Sequence, residues 1–219
     1  MSIVLKFKKF SKKYSRKNLY ELLNYEVDTI NKNKIILNVG AGGDVQSRLD
    51  LLKSDNKIIS IDVDKSRNPD FVMDVLKLDF EDNFFDYVFL IEVLEHVKNP
   101  FIALSEINRV LKKGGKLIMS TPFMLPIHDA PNDFFRYTKY GIELLTSKFI
   151  NVEIKERNTY INSIFVIALR MIFSKNKKLK LIGLIFFPFF ILQYHFFSII
   201  SYGKSDYSTT GYFTTCFKK

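Results

Sequence analysis

The residues able to do chemistry fall in two places. One is the turn Asn38-Val39-Gly40-Ala41-Gly42-Gly43, with Asp62 standing 22 residues beyond Gly40. Glycine at 40 and 42 lets backbone approach a ligand that any Cβ would hold off. An acid that far along, at the end of a second apolar run, can grip ribose hydroxyls. The turn therefore suits a nucleoside. The other place is the stretch from Pro122 to Tyr137, with His128, Asp133 and Arg136 inside it. An imidazole oriented by a carboxylate can take a proton from a hydroxyl, and a guanidinium can hold an anionic acceptor. The same three residues could instead brace the loop as a structural network. His96, after Glu95, could serve catalysis or cap the next turn, and His195 lies in an apolar run that suits packing or an interface.

These residues need elements to place them. Ile35–Val39 is a continuous apolar strand, as expected where both sheet faces are covered. Val45, Leu49 and Leu52 give a helix over Asp44–Lys53 its inner side. Ile58–Ile61, Phe71–Met73 and Phe85–Ile91 read as three further strands. Asn99 and Pro100 open a helix with Phe101, Leu104, Ile107 and Leu111 inward, and Gly114-Gly115 ends it. Lys116–Thr121 is a fifth strand, Thr138–Lys148 a helix, and Ile150–Arg157 and Thr209–Phe217 the last strands. Strands alternating with helices imply a doubly wound, mostly parallel α/β sheet of seven strands.

The 219 residues allow one sizeable domain with an appendage, and the 47% hydrophobic content suits a packed core. A single cysteine, Cys216, excludes an internal disulfide framework and a cysteine-based zinc cluster, and no metal is expected. The net charge of +10 is uneven: +6 over residues 1–34, −3 over 35–150 and +7 over 151–219. AT-rich coding bias would raise lysine too, but would spread it evenly. Basic flanks instead suit an anionic surface. Ile3, Phe7, Phe10 and Tyr14 share one face of a helix within a stretch, 1–19, that has seven basic residues and no acid. Such a helix can lie in a membrane interface or pack on its own domain. Residues 19–30 read as a further helix.

Residues 160–200 break the strand–helix alternation. Ile161–Phe173 is largely apolar, four lysines fall within Lys175–Lys180, and Leu181–Ile200 carries no charge if His195 is neutral. That last run is about long enough to span a bilayer, although Pro188, Gln193 and His195 interrupt it. If Ile150–Arg157 and Thr209–Phe217 share one sheet, a lone spanning helix is excluded. The segment is then a leaflet-facing hairpin, or a lid or dimer surface. The resulting organisation is a basic amphipathic segment (1–34), a core (35–157), an apolar helical insertion (158–204) and a final strand (205–219).

A dinucleotide would need a third glycine in the turn, so that a helix N-terminus reaches its pyrophosphate. Here the turn runs on to Asp44-Val45, and Asp44 would repel phosphate. No Tyr-x-x-x-Lys pair, as a short-chain dehydrogenase would use, is present. The ordered set Asn38-Val-Gly-Ala-Gly42, Asp62, Asp74, Phe85-Asp-Tyr-Val-Phe-Leu-Ile-Glu-Val-Leu-Glu-His96 and Arg109-Val-Leu-Lys-Lys-Gly-Gly115 resembles the class I S-adenosylmethionine-dependent methyltransferases. The resemblance covers over half the chain. The loop from Pro126-Ile-His128 through Pro131-Asn-Asp133 to Arg136-Tyr-Thr138 is similar to one in methyltransferases of bacterial surface-polysaccharide gene clusters.

The resemblance implies a Rossmann-like methyltransferase fold with a C-terminal antiparallel strand, and S-adenosyl-L-methionine as cofactor. Gly40, Ala41 and Gly42 would line its methionine and ribose portion. Asp62 would bind the ribose, Val63 would pack on adenine, and Asp74 with Val75 would sit at the adenine rim. Ile91 and Glu92 would close the methionine end. Asn38 departs from the family, which usually has an acid there to hold the ammonium group.

Methyl transfer is an in-line displacement that rests mainly on alignment and desolvation. His128 is the expected base, with Asp133 orienting it and Arg136 holding an anionic acceptor. The expected acceptor is a sugar or other hydroxyl of a lipid-linked or surface glycan, reached by peripheral contact of residues 1–19 and 160–200 with the inner face of the membrane. The alternatives are methylation of a soluble small molecule with 160–200 as lid, and a non-catalytic membrane-associated binding protein, for which Asn38 is the hint. A homodimer is among the expected assemblies. Nucleic acid is not an expected partner, since tracking phosphates does not require the long apolar runs between the basic residues.

Overall fold

The computed structural model describes residues 16–172, 176–200 and 208–219, with the side chains of 193–195 and 197–200 left out. The amphipathic face built on Ile3, Phe7, Phe10 and Tyr14 lies outside the described residues. In chain order the elements are α1 (Lys17–Asp28), β1 (Ile35–Val39), α2 (Gly43–Leu49), β2 (Lys57–Asp62), β3 (Phe71–Val72), β4 (Phe85–Ile91), α3 (Pro100–Val110), β5 (Leu111–Pro122), α4 (Lys139–Leu145), β6 (Phe149–Glu156), α5 (Tyr160–Met171), α6 (Lys177–Ile200) and β7 (Gly211–Lys218). The seven strands form one sheet in the order β3-β2-β1-β4-β5-β7-β6.

β1 pairs in parallel with β2 and β4, β2 with β3, and β4 with β5. β7 runs the other way beside β5. Phe123, just past the end of β5, donates its N–H to the carbonyl of Thr210, just before β7. At the opposite end Lys218 Nζ reaches the carbonyl of Leu111 at 2.8 Å.

The central strands are apolar because they are covered on both faces. Ile36, Leu37, Phe85, Val88, Phe89, Leu90, Leu117, Ile118 and Met119 are all fully buried. Each large apolar side chain sequestered this way stabilises the fold by roughly 1.5–3 kcal/mol. Asp86 fixes the start of β4 against β1 by accepting from Ile35 N–H at 2.9 Å and from Lys112 Nζ at 2.8 Å.

α3 starts as its sequence predicts, with Pro100 at its first position and Asn99 Oδ1 accepting from Ile102 N–H at 3.3 Å. Its inner face differs from the expected one. Ala103, Leu104, Ile107 and Val110 point inward, while Phe101 is 57% exposed. At 100° per residue Phe101 lies off the stripe that positions 100, 103, 107 and 110 share. The helix also ends earlier than the glycines, since Leu111 is already extended. Gly114, at φ +72, and Gly115 instead form the bulged entry to β5. A Cβ on Gly115 would meet Lys112 O at 2.8 Å and Asp86 O at 3.1 Å.

The chain divides into two compact units. One comprises residues 22–122, 127–155 and 212–219; the other comprises the described residues within 1–21, 123–126 and 156–211. In the second, α5 is capped by Thr159, whose Oγ1 accepts from Asn162 N–H. Phe165, Leu169 and Ile172 form a small core with Phe187, Phe190 and Ile191 of α6. Gly183 permits this crossing, because a Cβ there would lie 2.9 Å from Ile172 N. Among the described residues no helix is long and apolar enough to cross a membrane.

Candidate functional site

All the candidate site residues lie in the first unit, at the carboxyl edge of its parallel strands. β1 ends at Val39 and the chain turns through Gly40, Gly42 and Gly43 at φ +93, +83 and +66. Gly40 N–H donates to Ile61 O at 2.9 Å, which brings the turn against the end of β2. There Asp62 Oδ2 accepts from Ala41 N–H at 3.0 Å, and its Oδ1 accepts from Asp64 N–H at 2.9 Å. Arg67 Nε stands 3.8 Å from the same carboxylate. The acid and the glycine turn predicted to share a ligand are therefore adjacent. Gly40 has a further reason to be glycine, since a Cβ would fall 2.6 Å from Val93 Cγ2. That contact joins the turn to the segment just after β4.

Asn38 is fully buried at the centre of this edge. Its Nδ2 donates to Gln46 Oε1 at 2.8 Å, and Gln46 in turn donates to Asp50 Oδ1 at 2.8 Å. Asn38 Oδ1 has no hydrogen-bond partner. A buried acceptor left unmade costs about 1–3 kcal/mol, so this oxygen is suited to a donor brought by a ligand. At the end of β4, Ile91 is buried and Glu92 adopts φ +55, a conformation that non-glycine residues hold at a cost of about 1–3 kcal/mol. Ser120 Oγ donates to Glu92 Oε1 at 3.0 Å, tying that carboxylate to β5. Val63 is 68% exposed beside Asp62, as a surface for a flat ring requires. Asp74 is exposed and Val75 buried, one and two residues past Met73, whose N–H donates to Asp62 O at 3.0 Å.

The second group is organised by Glu95. A 3-10 turn, Leu94–His96, follows β4 and presents Glu95 inward with no exposed surface. The long loop is laced to this turn: Phe134 N–H donates to Glu95 O at 2.9 Å, and the buried Tyr137 hydroxyl donates to Leu94 O at 2.9 Å. Burial, reinforced by the charge of Glu95, pushes the Tyr137 hydroxyl well above its ordinary pKa, so it remains a donor. The lacing brings His128 Nε2 to 3.6 Å from Glu95 Oε1, with His96 Nε2 at 3.8 Å from the same atom. The two imidazoles meet edge to face, centroids 5.0 Å apart.

His128, Asp133 and Arg136 are together as predicted. Asp133 accepts two hydrogen bonds from the Arg136 guanidinium, each 2.6 Å, and a third from His128 N–H at 2.8 Å. The Arg136 fork outweighs the burial of Asp133 and holds its carboxyl well below the usual range. His128 Nδ1 lies 3.5 Å from Asp133 Oδ2 and 3.5 Å from Arg136 Nη2. Glu95 is the opposite case. Burial pushes its carboxyl up, the repulsion of Glu92 adds to this, and the contact with His128 opposes it.

The sequence reading missed Glu95 as a site residue, although an acid inside Val93-Leu94-Glu95 was a visible signal. Gln46, Arg67 and Ser120 were missed too. Each acts through a contact that only the fold creates.

A family model described as a methyltransferase domain matches residues 37–119. Over 76 residues the chain is 41% identical to the sterol 24-C-methyltransferase of Saccharomyces cerevisiae, covering 34% of this chain and 20% of that protein. The curated relatives it matches first are each spanned over about a fifth of their length. Among solved structures, a SAM-dependent methyltransferase from Archaeoglobus fulgidus superposes with a TM-score of 0.59 at 12% identity, over 97% of this chain and 99% of that one. Phosphoethanolamine N-methyltransferase 2 of Haemonchus contortus, in complex with S-adenosyl-L-methionine, superposes at 0.57 and 17% identity, over 95% of this chain and 56% of that one. The glycine turn against Asp62 and the unpartnered Asn38 oxygen fit that cofactor's ribose and ammonium group. Residues 37–119 thus match a methyltransferase domain, and the chain has the fold of the S-adenosylmethionine-dependent methyltransferases on which it superposes.

Proposed function

We propose that the chain transfers a methyl group from S-adenosyl-L-methionine to a hydroxyl, on a sugar or another part of a lipid-linked or surface glycan. The observation that carries this reading is the joining of two half-sites on one sheet edge. The contact of Gly40 with Val93 puts the nucleoside-holding turn beside the chain that runs directly into Glu95 and His96. When bound, the cofactor supplies a methyl group already activated on a sulfonium. Asp62 holds the ribose hydroxyls with the lone pairs left by Ala41 and Asp64, and Val63 covers the adenine, with Asp74 and Val75 at its rim. Gly40, Ala41 and Gly42 line the tail. Asn38 Oδ1 accepts from the ammonium, and Ile91 and Glu92 close that end.

His128 takes the acceptor's proton. Asp133 on its Nδ1 side and Glu95 on its Nε2 side, at 3.5 and 3.6 Å, both favour the imidazolium once formed. Arg136 keeps Asp133 ionised and offers charge to an anionic acceptor. The glycan class is supported by the similarity of the His128 loop to loops of polysaccharide-cluster methyltransferases.

Peripheral attachment to the inner face of the membrane is the reading that the charge and exposure of the flanks support. Leu181, Ile185 and Leu192 on α6 are 59%, 63% and 70% exposed. Lys177, Lys178 and Lys180 lie at its start, and no acid occurs between 157 and 205. This combination suits anionic headgroups over acyl chains.

Titration calorimetry with S-adenosyl-L-methionine tests the cofactor half. Wild type should bind one equivalent, and Asp62→Ala should weaken binding by at least about tenfold, the worth of one lost charge-assisted hydrogen bond. Unchanged affinity would overturn the reading. Incubation with labelled cofactor and a membrane extract should yield a glycolipid product heavier by one methyl; label found only in small soluble molecules would overturn the acceptor class. Leu181→Glu with Ile185→Glu should move the protein from the membrane fraction to the supernatant.

A further inference from the structure

Glu95 is the least satisfied ionisable group in its unit. It is fully buried, and neither carboxylate oxygen has a hydrogen-bond partner. Yet two imidazole nitrogens converge on Oε1, from His128 at 3.6 Å and His96 at 3.8 Å. The His96 tautomer is fixed from outside. Its Nδ1 lies 2.5 Å from the carbonyl of Asn132, which can only accept, so Nδ1 carries the proton. His96 Nε2 therefore turns a lone pair toward a carboxylate. His128 Nδ1 can donate to Asp133 Oδ2 or accept from Arg136 Nη2, each 3.5 Å away, so this ring can present either a proton or a lone pair at Nε2. Lone pairs facing a carboxylate repel unless something positive lies among them. A proton on one nitrogen answers one contact. A cation answers both.

We propose that Glu95, His96 and His128 form a binding site for a divalent transition-metal ion, with zinc the best match. One ligand atom from each residue lies within 4.8 Å of the others. Zinc bonds of ~2.0–2.1 Å place tetrahedral ligands about 3.4 Å apart. The Glu95 separations of 3.6 and 3.8 Å close to that value with small side-chain movements. Two imidazoles and one carboxylate suit zinc and its first-row neighbours, whereas magnesium and calcium take oxygen ligands. The Asn132 carbonyl behind His96 and Asp133 behind His128 are the outer contacts that metal-bound imidazoles carry. The His96 and His128 side chains are 24% and 29% exposed, which leaves an entry path.

Three protein ligands leave a fourth position for an acceptor oxygen. An ion there lowers the pKa of a bound hydroxyl, whose proton then leaves to solvent. Metal and proton compete for His128 Nε2, so in the loaded form the ion takes over the proton-removing role assigned above to the imidazole. This consequence rests on the methyl-transfer reading; the binding itself does not.

The experiment uses the full chain stripped with chelator and titrated with zinc chloride by calorimetry. Cobalt(II) chloride serves as a second probe, through the visible absorption of a tetrahedral ion. One ion per chain should bind, and Glu95→Gln, His96→Ala and His128→Ala should each weaken binding by at least about tenfold. The histidine variants alter partly exposed side chains, so the test stands even if Glu95→Gln fails to fold. No stoichiometric uptake, or affinity unchanged in both histidine variants, would overturn the site. Titration of the same samples with S-adenosyl-L-methionine separates the two ideas. Cofactor binding without zinc binding rejects the metal site alone, and zinc binding without cofactor binding rejects only the methyl-transfer reading.

Discussion

Gly40→Ala tests whether the turn is placed as described. The substitution acts through two separable costs. At φ +93 an alanine sits where L residues rarely go, a backbone cost of at least about 1 kcal/mol. Its Cβ would also fall 2.6 Å from Val93 Cγ2, far inside van der Waals contact, and forced overpacking of this sort costs ~1–3 kcal/mol. The sum is about 2–4 kcal/mol, or a fall in melting temperature of roughly 4–16 °C for a chain of this length. Val93→Ala removes the Cγ2 atom. The pair Gly40→Ala with Val93→Ala should then recover the overlap but not the backbone cost, giving a favourable coupling of about 1–3 kcal/mol in a double-mutant cycle. Thermal or urea unfolding measures stability, and cofactor titration shows whether the turn still closes on Asp62. If Gly40→Ala is as stable as wild type, or if Val93→Ala restores nothing, Val93 does not press on the turn. The joining of the two half-sites then loses its support.

Other outcomes follow from single groups. Tyr137→Phe deletes the hydroxyl that holds Leu94 O at 2.9 Å; unfolding should show a loss of about 1–3 kcal/mol, the cost of a buried carbonyl left unpaired. The Cys216 thiol is fully buried and burial pushes its pKa up to about 12, so a thiol reagent at mildly alkaline pH should label the protein only after urea is added. Burial works against ionisation of Asp86, but the bonds from Lys112 and Ile35 and the charges of Lys112 and Lys34 prevail and lower its pKa. A group depressed in the folded state contributes stability above its unfolded pKa, near 3.9, and loses it as pH falls through the folded value. Asp86→Asn should therefore lower the melting temperature at neutral pH and narrow its gap to wild type below about pH 4.

How much was legible beforehand depends on the range of the signal. β1 and β4 were read to the residue because strands covered on both faces are apolar throughout, and the sequence beyond each breaks that run. Asp62 was legible because a parallel neighbour strand fixes its distance from the glycine turn, and the observed bond from Ala41 N–H follows from that register. The end of α3 was misread because glycine signals a helix stop and a bulge alike. What decides between them is the Asp86 backbone that Gly115 must approach. Phe101 was misassigned because an apolar residue at a helix start was taken as inward, with no partner known. The grouping of His128, Asp133 and Arg136 was legible from their closeness in one loop. Its placement over Glu95 was not, since it depends on Phe134 and Tyr137 bonding to carbonyls some forty residues earlier.

That lacing has a consequence for the chemistry. Glu95 and His96 ride on a turn fixed to β4, whereas His128 rides on a loop without regular secondary structure. The bonds from Phe134 N–H and Tyr137 Oη therefore set the distance from His128 to Glu95 without touching any reacting atom. Methyl transfer depends on alignment, where displacement by an ångström can cost about a hundredfold in rate. Stability and geometry thus report different things in Tyr137→Phe. Its fold should persist and its cofactor affinity should match wild type, because neither Asp62 nor the glycine turn bonds to the Tyr137 hydroxyl. Turnover should drop disproportionately, with kcat falling more than KM changes. A Tyr137→Phe protein that loses cofactor affinity and turnover in parallel would mean that the loop supports the whole edge, and the division into a nucleoside end and an acceptor end would not hold.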